Sequence, residues 1–95
     1  MLMIYSEEQI KSIKELAQSL TPISEIAVLL DLDIRQLRMD VADELHPASK
    51  AYHLGKAETA LQIRRNELQL AEAGSPLAVQ LMSGYLHNMD ADEDL

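Results

Sequence analysis

The chain has 95 residues, enough for one small domain whose core is marginal for folding alone. With three Tyr, no Phe and no Trp, few Gly and Pro and no run of β-branched or aromatic residues, it predicts an all-α fold packed with Leu, Ile, Val, Ala and Met. The absence of Cys excludes disulfides and thiolate chemistry, no apolar run reaches the roughly 20 residues of a membrane span, and a net charge of −8 opposes unfocused attraction to DNA or an anionic membrane.

The charge is uneven. Residues 1–46 carry four basic against nine acidic side chains, residues 47–89 carry four against three, and residues 90–95 add four more acids. The N-terminal MLMIYSEEQ lacks a basic, cleavable leader pattern, so a cytoplasmic location is expected.

Met1 to Tyr5 is a short apolar leader. Ser6 and Gln9 have capping-box spacing, and Tyr5 and Ile10 stand where a hydrophobic staple would tie the leader down. Ile10, Ile13, Leu16, Ala17 and Leu20 recur at helical spacing, predicting a first helix over about 7–20 with those residues inward. Thr21-Pro22 is a cap followed by Pro at a first helical position, so a second helix is expected over about 22–30, with Ile23, Ile26, Ala27 and Leu30 inward. Asp31-Leu32-Asp33 breaks it. Asp33 and Gln36 form a second capping-box pattern, Leu32 and Leu37 a second staple, and a third helix is expected over about 34–45.

His46-Pro47 marks the next boundary, because the residue before Pro is pushed from the α region. A fourth helix is expected from Pro47 to about Ala73, near 40 Å long at 1.5 Å per residue. Gly55 within it marks either a close approach or a hinge. Gly74 suits a left-handed C-cap, and Ser75-Pro76 restarts a fifth helix over about 76–89. The final MDADEDL reads as an acidic, frayed tail.

The fourth helix has two apolar rows, one including Leu54, Leu61 and Leu68, the other including Ile63 and Leu70. The fifth is expected to cover part of them with Leu77, Leu81, Met82, Tyr85 and Met89. The uncovered remainder predicts a homo-oligomer through Leu54, Leu61, Ile63, Leu68 and Leu70. The chain thus divides into residues 1–46, a helix-turn-helix region; 47–89, a helical hairpin for oligomerisation; and 90–95, an acidic tail.

The helix-turn-helix expectation rests on residues 21–45. A small residue where two helices cross, Ala27, is followed after the turn by the buried aliphatics Leu32 and Leu37. Asp31 takes the turn position often held by Gly. On the second helix of the pair, Arg35, Gln36, Arg38 and Met39 are the candidates to face DNA, since Arg can donate two bonds to guanine and Gln can pair with adenine. Against them stand Asp33, Asp40, Asp43 and Glu44 on the same segment, and Arg35 and Arg38 could instead form solvated ion pairs.

Catalysis and metal binding have little to build on. His46, His53 and His87 show no paired-ligand spacing, although His46 and His53 lie two turns apart with Glu44 nearby. No nucleophile elbow or phosphate-binding Gly loop occurs, so no catalytic residue, cofactor or metal is expected. Lys50, Lys56, Arg64 and Arg65 form a basic cluster that suits either phosphates or the acids of the first half.

The order of these parts resembles phage and prophage proteins of the terminase small subunit type. The resemblance covers about residues 21–86: the helix-turn-helix pattern, an A-Y-x-x-G-K-A segment (Ala51, Tyr52, Gly55, Lys56, Ala57), a long helix, and the Gly74-Ser75-Pro76 turn before Ala78, Leu81 and Met82. It implies recognition of DNA at a packaging site through Arg35, Gln36, Arg38 and Met39, self-association through the last two helices, and a large packaging subunit as partner. With an acidic head, such binding would draw on avidity across the oligomer. The alternative is a non-enzymatic adaptor that uses the same scaffold to bind a basic protein.

Overall fold

The computed structural model describes residues 3–93. Met1 and Leu2 of the leader, and Asp94 and Leu95 of the tail, lie outside them. Five helices follow in order: α1 (Glu7–Gln18), α2 (Ile23–Leu29), α3 (Ile34–Ala42), α4 (Pro47–Glu72) and α5 (Pro76–Glu93). No strand occurs among the described residues.

The chain forms two compact units, residues 1–59 and 60–95. In the first, Ile13, Ile26, Ala27, Leu37, Val41, Ala48 and Ala51 make one buried cluster. Tyr5, Ile10, Leu16, Ile23, Leu30, Leu32 and Tyr52 pack around it. Three of the four contributing helices are short. Their stability comes from shared burial rather than from their own length. Ala48, Ala51 and Gly55 bring the start of α4 into this core, so the packing boundary falls inside α4 and not at His46-Pro47.

Gly55 is a close approach, not a hinge. A Cβ there would collide with the Lys14 carbonyl oxygen and stand 3.0 Å from Ala17 Cβ. Beside this contact the Thr59 hydroxyl donates to the Gln18 carbonyl at 2.5 Å, and Gln18 Nε2 donates to Glu58 at 2.7 Å.

Three helices end in the same way. In α1, Thr21 N–H donates to Leu16 O and Leu20 N–H to Ala17 O. In α2, Leu32 N–H donates to Ala27 O and Asp31 N–H to Val28 O. In α4, Ser75 N–H donates to Leu70 O and Gly74 N–H to Ala71 O. These are Schellman motifs, whose left-handed residue is Leu20 (φ 61°), Asp31 (φ 54°) and Gly74 (φ 96°).

That geometry corrects several expectations. Leu20 turns away from the core and is 56% exposed, because the left-handed residue closes the helix and leaves its face. Thr21 is not a cap: its N–H closes α1, and Pro22 is the extended N-cap of α2 without a side-chain bond. α3 ends at Ala42, short of 45, because the Asp43 carboxylate accepts the Leu45 N–H and draws the backbone into a local turn. α5 continues to Glu93, beyond 89, since no Gly or Pro interrupts the run. Its cover is also thinner than expected. Ala78 is buried and Met82 and Tyr85 are half-buried, while Leu77, Leu81 and Met89 stay exposed because the apolar residues of α5 are spread over more than one face.

Candidate functional site

The turn between α2 and α3 sets the candidate site. Asp31 adopts the left-handed conformation, and the Asp33 carboxylate then caps α3 by accepting the Gln36 N–H at 2.9 Å. Leu37 and Val41 bury one face of α3 against Ile26 and Ala27. The opposite face carries Arg35, Arg38 and Met39, all exposed and spaced to share one surface. Among the described residues, neither arginine makes an ion pair.

Gln36 sits differently from these three. It is half-buried, and its Nε2 donates to Asp40 Oδ1 at 3.0 Å. The amide group needed for pairing with adenine is thus engaged within the protein.

Asp40 is the residue that sequence reasoning misplaced. It had counted as a surface acid but is 0% exposed. The Tyr5 hydroxyl donates to its Oδ2 at 2.6 Å, and Gln36 holds its Oδ1. Burial first, then the bond to Asp40 and its charge, raise the Tyr5 pKa above the ordinary 10.0. His46 stands beside them, its ring edge-on to Tyr5 with 5.5 Å between centroids. His46 Nδ1 accepts the Ala48 N–H at 2.9 Å, so the proton is on Nε2, which donates to the Met3 carbonyl at 2.8 Å. Leader, α3 and the start of α4 are locked by this cluster. Helical spacing held the signal: Asp40 follows buried Leu37 by three positions.

The acidic count against α3 therefore shrinks. Asp33 caps the helix, Asp40 is buried, and Asp43 holds the following turn. Glu44 is the exposed acid left without such a role.

The basic cluster of α4 does not meet acids of the first half. Among the described residues, Lys50, Lys56, Arg64 and Arg65 make no ion pair, whereas Lys14 of α1 reaches Glu58 at 3.5 Å. Lys56 instead joins Arg38 in lining an open recess at the edge of α3. No group of three or more His, Asp or Glu able to hold a metal is gathered among the described residues. No helix among them is long and apolar enough to cross a membrane.

The five expected oligomerisation residues, Leu54, Leu61, Ile63, Leu68 and Leu70, are 39–52% exposed in the single chain. Compared with known proteins, the chain matches no family model, no curated protein and no solved structure.

Proposed function

We propose that the chain is a cytoplasmic, non-enzymatic DNA-binding protein of phage or prophage origin. In this reading α2 and α3 form a helix-turn-helix, and α3 presents Arg35, Arg38 and Met39 to base edges in the major groove. The exposed leucines and isoleucine of α4 join copies of the chain, and avidity offsets the acidic balance. A terminase-type role, handing DNA to a large packaging subunit, is the setting that the order of its parts suggests.

The observation that carries the proposal is the outward face of α3. Two arginines stand free of ion pairs there, on a helix whose own acids are mostly used to cap it and to anchor its buried side. A gel-shift titration of duplex DNA at low salt tests it. With about 1–3 kcal/mol per Arg–guanine pair, the R35A/R38A double substitution is expected to weaken binding at least 30-fold, roughly. Binding indifferent to that substitution would remove α3 from the recognition role. No binding at any protein concentration would remove the DNA reading itself.

A further inference from the structure

The recess at the edge of α3 combines residues that are far apart in sequence. Arg38 comes from α3, and Tyr52, His53 and Lys56 come from α4, with Val41 in the wall and Glu44 at the margin. Arg38 and Lys56 are both exposed, and among the described residues neither has a carboxylate partner, in a chain with twice as many acids as bases. Two unpaired cations sharing one concave surface raise the local potential where net charge would predict the reverse. His53 adds shape rather than charge. Its Nδ1 donates to the Ser49 carbonyl at 2.9 Å, and its ring meets Tyr52 edge-on with 5.3 Å between centroids, which fixes the floor.

We propose that this recess seats one phosphodiester group of the DNA backbone, held between the Arg38 guanidinium and the Lys56 ammonium. The inference rests on the DNA reading and deepens it. Base contact falls to Arg35 and Met39, while Arg38 and Lys56 fix the register of α3 on the duplex. Lys56 thereby becomes a binding residue outside α3. Glu44, the acid at the same margin, acts against the anion.

The test is the salt dependence of DNA binding, measured with the full chain for the wild type and the K56A, E44Q and R35A variants. Circular dichroism would confirm that each folds, which is expected because all three side chains are exposed. K56A should reduce the slope of log K against log salt by about 1 and weaken matched and scrambled duplexes by the same factor. E44Q should tighten both duplexes severalfold at low salt. R35A should affect the matched duplex more than the scrambled one. An unchanged slope in K56A together with an R35A effect would overturn the phosphate seat and leave the recognition helix standing. A K56A effect without an R35A effect would keep the seat and overturn base reading by α3. If the wild type binds neither duplex, both proposals fall.

Discussion

Two single residues decide how the first unit closes. Tyr5 donates to a fully buried carboxylate, so Tyr5→Phe leaves Asp40 one donor short and is expected to destabilise by about 1–3 kcal/mol. Its pH dependence is diagnostic. The folded-state pKa of Tyr5 lies above the ordinary 10.0, so its contribution is fully present below pH 10 and declines at higher pH as the unfolded chain ionises first. Urea denaturation from pH 8 to 11.5 should show the gap between wild type and Tyr5→Phe narrowing above pH 10; a constant gap would separate the hydroxyl from the alkaline loss. Gly55 acts through space alone. Ala there gains about 1 kcal/mol of helix propensity, but the added Cβ meets the backbone of α1, which cannot rotate aside. Overpacking of about 1–3 kcal/mol or more should win, and Gly55→Ala should lower the urea midpoint.

The helix ends offer a sharper test. Leu20 occupies a left-handed position that usually takes Gly, and being exposed it contributes little burial in return. Leu20→Gly should therefore stabilise by about 0.5–1 kcal/mol, the relief of left-handed strain exceeding the extra freedom of Gly in the unfolded chain. Asp31→Gly should gain less, since Asp tolerates this conformation better. A lower urea midpoint for Leu20→Gly would show that the Leu20 side chain packs in a way its exposure hides. The same residue marks where sequence reading stopped. Caps at Ser6, Asp33 and Ser75, the break at Asp31 and the turn at Gly74 were legible, because each depends on side-chain chemistry within a few residues. Leu20 was not, because helical spacing counts it inward until the chain's exit direction is known. Asp40 and Lys56 were misjudged for a related reason. Their environments are made by Tyr5 and Arg38, partners 35 and 18 positions away, which local pattern does not report.

At the scale of the whole molecule, the second unit poses a problem of stability. Residues 60–93 form parts of two helices, yet Ala78 is the one buried residue among them. A helical hairpin held by so little burial does not offset the conformational entropy of its own ordering in water. Meanwhile Leu54, Leu61 and Leu68 recur every seven residues along α4, as do Ile63 and Leu70, and this is the spacing of a helix–helix seam. Association of copies along that seam would supply the missing burial, so folding of the second unit and self-association should be one event. The double substitution L61E/L68E should then lower both the mass measured by light scattering and the helicity measured by circular dichroism. Both should fall with dilution of the wild type as well. A wild type that stays at its single-chain mass of 10.6 kDa at high micromolar concentration with full helicity would break the link. The same experiment bears on DNA. If one head carries only Arg35, Arg38 and Lys56 as its cationic contacts, tight binding requires several heads on one duplex. L61E/L68E should accordingly lose DNA affinity although it alters no residue of the first unit, and retention of full affinity would mean that a single head suffices.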